Sequence, residues 1–216
     1  MIETGVRFSR LHSYHDLHLI LSKVEIPAAL PKTQYVDIPG SDGSIDMTET
    51  HGEVKYYDRD CKFTFTTLPM GEREAEDHKT KVSNAISGRV HPITLDKDPG
   101  HYYLGRCEVE SYSVNKRIRQ FVIKAKVNPW KFKQNETVVI FALDGTEKIV
   151  NLSNGRKPVC PVITCTADTT IKFGNHTYML EEGSHKVLNI RLTEGLNTLT
   201  LSGNGTVTFT YQEGDL

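Results

Sequence analysis

The chain has 216 residues, of which 38% are hydrophobic and 25% are charged. Such proportions are typical of a folded globular protein and exclude a disordered chain or a membrane-embedded one. The 26 Lys and Arg residues nearly balance the 27 Asp and Glu residues, so the net charge of −1 gives no reason to expect a nucleic-acid or membrane partner.

The N-terminus, MIETGVRFSRL, lacks the basic start and the apolar core of a signal peptide. The longest apolar runs, LHLIL and VVIFAL, are too short to cross a bilayer. We therefore expect no export and no membrane insertion. Reduced and mostly buried thiols are then the expectation for the cysteines, with a disulfide between the last two as a less favoured alternative. The cysteines are Cys61, Cys107, Cys160 and Cys165.

Three histidines near the N-terminus are candidate metal ligands. The segment HSYHDLH spaces His12, His15 and His18 three residues apart, which would gather them on one face of a helix. The next residues, LHLILSKVEI, look extended, and a strand would scatter the histidines to both faces. We therefore expect ordinary surface or hydrogen-bonding histidines and no metal.

The glycine-rich segment IPGSDGSIDMTET, residues 38–50, raises the question of phosphate binding. A phosphate-binding loop would lead into a helix, whose N-terminus holds the anion. Here the glycines lead into SIDMTE, which alternates as a strand does. A tight turn at Asp42-Gly43 into a short strand is therefore the favoured interpretation.

Two segments of the N-terminal half have the period-two pattern of antiparallel strands with one buried face. In CKFTFTT the predicted buried residues are Cys61, Phe63 and Phe65. In QFVIKAKV they are Phe121, Ile123, Ala125 and Val127.

One segment, GEREAEDHKTKVSNAISGRVHP, breaks the strand pattern and predicts an amphipathic helix over roughly residues 73–87. Acidic residues crowd its start, basic residues follow, and Gly88 is placed to end it, as the helix dipole and a glycine cap favour. The apolar stripe is thin, so we expect the helix to cover a sheet rather than to enter the core.

The segment NKRIRQFVIKAKVNPWKFK, residues 115–133, holds seven basic residues and no acid, with Phe121, Trp130 and Phe132 interleaved. This mixture can bind single-stranded nucleic acid. A strand with a lysine-bearing solvent face explains the same pattern and is favoured, because the protein as a whole is not basic.

After residue 134 the sequence predicts short strands separated by turn signals such as Asp144-Gly145 and Asn204-Gly205, which indicates a β-sandwich or barrel. A boundary between two units is expected near NPWKFKQNE, residues 128–136. The predicted strands are TVVIFAL, EKIVNL, PVITCT, TIKFG, HTYML, HKVLNIRL, NTLTLS and GTVTFTY.

The predicted strand HKVLNIRL would place His185, Asn189 and Arg191 on one face, similar to the way galectin-type sandwiches hold sugars. Those lectins space the residues as H-x-N-x-R, which differs from the spacing here. They also stack the sugar on a tryptophan, and the only tryptophan of this chain is Trp130. Solvated strand residues are therefore favoured, with a carbohydrate site as the alternative.

No G-x-S-x-G or H-E-x-x-H motif occurs, so no residue is a candidate for catalysis. Seven landmarks in order instead resemble one family, the distal tail proteins (Dit) of long-tailed, non-contractile phages that infect Gram-positive bacteria. The resemblance covers essentially the whole chain. The landmarks are HSYHDL, IPGSDGSIDMTE, VKYYDRDCKFTF, the predicted helix, LDKDPGHYYLGRCEVESY, FVIKAKVNPWKF and GLNTLTLSGNGTVTFTYQEGDL.

The resemblance implies a mainly β protein with two domains. Residues 1–132 would be a β-sandwich-like, ring-forming domain with one α-helix, and residues 133–216 a galectin-like β-sandwich. Six copies would form a ring with a lumen for DNA passage, without enzymatic activity, cofactor or metal. The ring would belong to the tail tip or baseplate of the virion and would be assembled in the cytoplasm of the host bacterium.

The family also implies the partners of such a ring, which acts as the assembly hub between the tail tube and the tail-tip proteins. They are the major tail tube protein, the tape measure protein, a tail-associated lysin or fibre, and receptor-binding or baseplate proteins. The alternative function is a carbohydrate-binding module or adhesin that contacts the host cell wall through His185, Asn189 and Arg191.

Overall fold

Residues 5–50 and 52–216 are described by the computed structural model of the chain. Their contacts divide between Lys131 and Phe132 into two units, and each unit has a hydrophobic core of its own. No helix among the described residues is long and apolar enough to cross a membrane.

The first unit is built on an antiparallel sheet and one described helix, α1 (Glu72–Ile86). Its strands are β1 (Val6–Phe8), β2 (Leu11–His12), β3 (Ile20–Glu25), β4 (Tyr35–Asp37), β5 (Ser44–Asp46), β6 (Arg59–Thr66), β7 (Val90–Leu95), β8 (Asp98–Asn115) and β9 (Ile118–Lys133). The sheet has the order β2-β1-β7-β8-β9-β6-β3, while β4 and β5 form a separate two-stranded sheet.

The predicted buried face of β6 and β9 is confirmed. Phe63 lies opposite Ile123, and Phe65 lies opposite Phe121. All four side chains are at most 1% exposed. The rings of Phe8 and Phe63 pack edge to face, with 5.9 Å between their centroids. The apolar residues alternate because one face of the sheet is removed from water, and aromatic pairs of this geometry stabilise the core further.

The predicted helix is confirmed as α1, which begins and ends one residue earlier than expected. Its buried residues are Ala75, Val82 and Ile86, and the last two join the core of the sheet. Gly88, with φ +77°, follows the helix end in the left-handed conformation that glycine favours. The last turn carries no basic residue, so only the acidic residues of the first turn complement the helix dipole.

A long hairpin connects β3 to β6 and stands apart from the main sheet. We call it the arm; it comprises residues 30–57, of which residue 51 lies outside the described part. Near its base the backbone N–H of Tyr57 donates to the carbonyl of Leu30 at 2.9 Å. Near its end Gly40 and Gly43 have φ +85° and +76° and turn the chain from β4 into β5. The predicted turn and short strand are therefore confirmed.

The second unit is a sandwich of two antiparallel layers. Its strands are β10 (Thr137–Asp144), β11 (Lys148–Asn154), β12 (Val162–Cys165), β13 (Thr169–Phe173), β14 (His176–Leu180), β15 (Gly183–His185), β16 (Gly195–Tyr211) and β17 (Gly214–Asp215). One layer has the order β10-β16-β12-β15 and the other the order β11-β16-β13-β14. The core includes Leu152, Ile163, Leu201 and Phe209, all 0% exposed. The expectation of a mainly β fold is confirmed.

Strand β16 belongs to both layers, because its first half pairs with β11 and β13 and its second half with β10 and β12. The prediction of two strands separated by a turn at Asn204-Gly205 is therefore wrong: the backbone bends there without reversing. Gly203 and Gly205 have φ +136° and +88°. A Cβ added at Gly203 would lie 2.7 Å from the carbonyl oxygen of Asp168, so the bend depends on glycine.

The prediction of a strand over HKVLNIRL is also wrong. Strand β15 ends at His185, and residues 186–194 form turns and irregular backbone with one bridge, between Leu192 and Val159. Ile190 and Leu192 are fully buried, whereas Leu188 is 73% exposed. Buried side chains thus anchor an irregular segment at two points, and their spacing imitates the alternation of a strand.

Candidate binding and assembly surfaces

His12 holds a turn together through both nitrogens of its ring. It is buried at the end of β2, where Nε2 lies 2.8 Å from Oδ2 of Asp96. Its Nδ1 accepts the backbone N–H groups of Tyr14 and His15, each at 3.2 Å. The hydrogen of the ring is therefore on Nε2, which donates a hydrogen bond to the carboxylate. His18 follows the turn with φ +51°. No group of three metal-binding side chains occurs among the described residues.

The carboxylate of Asp96 is the acceptor of this cluster. The same Oδ2 atom also accepts the backbone N–H of Gly5 at 2.7 Å. Burial raises the pKa of Asp96, whereas the hydrogen bonds from His12 and Gly5 favour the charged form, and the net effect is a pKa below the usual value. The cluster joins the start of β1 to the turn after β7, which is a structural role.

All four cysteines carry free thiols, so the alternative of a disulfide between Cys160 and Cys165 is not formed. Cys160 is half-buried, with Sγ 3.3 Å from the carbonyl oxygen of Leu188. Burial raises the pKa of Cys61 to about 11 and the pKa of Cys107 to about 12. Thiols with such pKa values stay protonated at neutral pH and are inert as nucleophiles.

The basic segment, residues 115–133, forms a turn and β9, in agreement with the strand interpretation. Phe121 is fully buried, and Phe132 is 9% exposed. Trp130 packs edge to face against Tyr56, with 5.4 Å between the ring centroids. These aromatic rings are engaged within the protein, so they do not form the stacking platform that single-stranded nucleic acid requires.

The three candidate sugar residues do not share one strand face. His185 ends β15, and its Nε2 hydrogen-bonds with the carbonyl of Glu181 at 2.8 Å. Asn189 lies in a turn, and Arg191 lies in the irregular segment that follows. The strand that motivated the comparison with galectins is therefore missing, and sugar binding by these residues stays a prediction.

A groove of about 440 Å³ opens in the second unit beside the bend of β16. Its lining includes the acidic side chains of Asp168 and Glu181 and the hydroxyl groups of Thr170 and Ser202, but no aromatic or basic residue. Because the lining residues come from separate strands and turns, no local sequence motif predicts the groove. Without an aromatic platform the groove offers a sugar ring no stacking surface.

The arm has an apolar face that no described residue of its own chain buries. Val36 lies directly opposite Ile45, so the two side chains share one face of the ladder, and Ile38 and Met47 directly follow the ends of β4 and β5. Val36, Ile38 and Ile45 are 44%, 46% and 49% exposed. No residue between 31 and 50 is buried. An isolated two-stranded hairpin is at best marginally stable in water, so this face is a candidate contact surface.

The arm is also strongly acidic. Between residues 33 and 54 the sequence has five acidic residues and no Lys or Arg. The alternation of apolar and acidic residues in Y-V-D-I and S-I-D-M is the local signal by which the sequence could have indicated a contact surface here. The acidic residues are Asp37, Asp42, Asp46, Glu49 and Glu53.

The turn between β8 and β9 carries a second group of exposed apolar residues, with the opposite charge. Two residues of the turn are basic, and the loop 67–70 lies alongside, hydrogen-bonded to the start of β9. Three apolar side chains here are 45% to 61% exposed. We call this surface the tip; it consists of Leu68, Val114, Lys116, Arg117 and Ile118.

The sheet with its single described helix, followed by a sandwich whose layers share one strand, defines a mainly β, two-unit fold. No protein-family model and no curated protein matches the sequence. Among solved structures, the chain is similar to the crystal structure of the SPP1 Dit (gp 19.1) protein, described as a paradigm of the hub adsorption apparatus in phages that infect Gram-positive bacteria.

The TM-score of this comparison is 0.73 at 13% sequence identity, over 97% of this chain and 98% of the SPP1 protein. At this identity the likeness is one of fold. The resemblance to distal tail proteins that the sequence predicts is confirmed at that level.

Proposed function

We propose that the protein is a structural component of a phage tail tip, which assembles into a ring of six copies and serves as the hub for other tail proteins. The observation that carries the proposal is the match to the SPP1 Dit fold over 97% of this chain and 98% of that chain. A match over nearly the whole of both chains favours the same kind of assembly over a single shared module.

The charge of the chain suits a ring around passing DNA. Neutralisation of phosphates by Lys and Arg dominates affinity for DNA, so a strongly basic lumen would retain the polyanion. With 26 basic against 27 acidic residues, this chain has no such excess.

The proposed hub binds the tail tube protein on one side and tail-tip proteins, such as the tape measure protein, a tail-associated lysin or fibre, and receptor-binding or baseplate proteins, on the other. Its place is the virion, after assembly in the host cytoplasm. In this proposal the protein acts through its shape and its contacts with other proteins rather than through turnover of a substrate.

Light scattering on the purified full-length chain tests the ring. Six copies of 24.4 kDa give about 146 kDa, and negative-stain images should show an annulus with six-fold symmetry. Co-purification with the tail tube protein of the same phage tests the hub. A monomer at high protein concentration that binds no tail protein would contradict the proposal.

A further inference from the structure

We propose that the arm of one copy docks with its apolar face on the tip of the next copy, so that the ring closes through one repeated head-to-tail contact. This inference rests on the proposed function and names the two surfaces that build the ring.

The arm has an anchored base and an exposed apolar face, which favours contact with a partner. Its base is fixed, because the guanidinium of Arg59 donates to the carbonyl of Pro27 at 3.4 Å and to the carbonyl of Pro129. The ring of Tyr56 packs against Trp130 beside this anchor. Beyond the base, the apolar face is exposed on a two-stranded ladder without a core. Alternation of this kind is typical of a strand that buries one face, and burial on another copy would supply the missing side.

The tip offers a complementary surface. Its apolar residues are exposed beside Lys116 and Arg117, and residues 111–134 contain no acid. The turn itself is braced, because the guanidinium of the buried Arg119 donates to the carbonyl of Lys116 at 2.8 Å. In the proposed contact, an apolar and basic surface therefore meets an apolar and acidic arm. Apolar contact at the centre with charge pairs at the rim is the usual anatomy of a specific interface.

Symmetry favours a second copy as the occupant. Both surfaces are exposed in the single chain, so the arm does not cover the tip of its own copy. Two different complementary patches on each copy give a heterologous contact, and a heterologous contact that repeats by rotation closes into a ring.

Charge reversal in the full-length chain tests the contact. The arm variant carries Asp42→Lys and Glu49→Lys, and the tip variant carries Lys116→Glu and Arg117→Glu. All four residues are exposed, so the fold should be retained, which circular dichroism can check. Alone, each variant should need about 100-fold more protein than the wild type to form rings, because like charges meet at every contact.

Mixing the two variants in equal amounts gives the decisive result. In the mixture, the arm of each variant meets an oppositely charged tip on the other, so alternating copies should close an even-numbered ring of about 146 kDa. A chain that carries all four substitutions should also form rings. A matched control with Lys186→Glu and Glu182→Lys, both exposed in the second unit, should assemble like the wild type.

The outcomes separate this inference from the proposed function. If the wild type forms rings and both variants form them equally well, the arm–tip contact is overturned while the hub proposal stands. Loss of rings in each variant without recovery in the mixture would also overturn the pairing. A wild-type chain that remains monomeric overturns both proposals.

Discussion

At the scale of single residues, the hydrogen bonds to Asp96 link its charge to the stability of the fold. Both His12 and the backbone of Gly5 donate to one carboxylate oxygen, and the pKa of Asp96 is lowered as a result. A carboxyl group whose folded pKa is depressed contributes stability above its unfolded pKa of about 3.9. That contribution is lost as the pH falls through the lower, folded pKa.

Replacing Asp96 by Asn should therefore lower the free energy of unfolding near neutral pH by about 1–3 kcal/mol, since hydrogen bonds to a charged acceptor are lost. The difference from the wild type should begin to shrink as the pH falls below the unfolded pKa of about 3.9, and it should disappear once the pH is below the lower pKa of folded Asp96. Urea denaturation at several pH values measures both effects. Asp58→Asn, at an exposed position, is the matched control. Equal stabilities of Asp96→Asn and wild type near pH 7 would refute the assignment.

The histidine spacing alone could indicate an ordinary hydrogen-bonding role but not the partner. Asp96 lies 84 residues from His12 in the chain, and only the pairing of β1 with β7 brings the two together. Residue-scale chemistry of this kind depends on sheet order, which local spacing does not contain.

At the scale of elements, Gly105 allows a close approach between β8 and β9. A Cβ added there would lie 2.3 Å from the carbonyl oxygen of Lys126 and 2.6 Å from Cα of Val127. Because the contacting atoms belong to the backbone, they cannot move aside without a shift of the strand.

Gly105→Ala should accordingly destabilise the first unit by about 1–3 kcal/mol, the usual cost of overpacking. Gly100→Ala in the same strand is a matched control, because an added Cβ there meets no atom within 4 Å. Its effect should stay within about 0.5 kcal/mol. Thermal denaturation of the two variants measures this destabilisation. Equal melting temperatures would show that the strand shifts to accommodate the added Cβ.

The predictability of each element follows from how regular its burial is. Strands β6 and β9 and helix α1 bury one continuous face, so their period appears directly in the sequence. The strand predicted over HKVLNIRL is wrong because Ile190 and Leu192 are buried although their backbone is irregular. The error at β16 is the opposite one: its glycines predict a turn between two strands, whereas in the structure they bend one continuous strand.

At the scale of the whole molecule, two separate cores predict two separate unfolding transitions. Ile86→Ala should destabilise the first unit and Leu201→Ala the second, each by about 2–5 kcal/mol, because both side chains are 0% exposed. Fluorescence of the single tryptophan, Trp130, reports the first unit, and far-UV circular dichroism reports both. Fluorescence should therefore detect the first substitution and not the second. One coincident transition that shifts equally in both variants would argue against independent units.

The resemblance of seven ordered landmarks predicted the fold of the whole chain, although sequence identity to the SPP1 protein is only 13%. The landmarks mark turns and buried faces, which fix a fold with few residues. The arm and the tip are harder to predict as contact surfaces, because exposure of an apolar side chain is a property of the folded chain. Alternation in the sequence predicts a buried face without saying which molecule buries it.

The membership of β16 in both layers of the sandwich has a mechanical consequence. Layers that pack only through side chains can slide or separate under load, because no strand is hydrogen-bonded in both of them. Here one strand, β16, is hydrogen-bonded in both layers. Separating the layers must therefore break backbone hydrogen bonds along one half of this strand. We expect the second unit to unfold cooperatively when it is stretched. Its mechanical resistance should come from the backbone hydrogen bonds between strands rather than from apolar side-chain contacts.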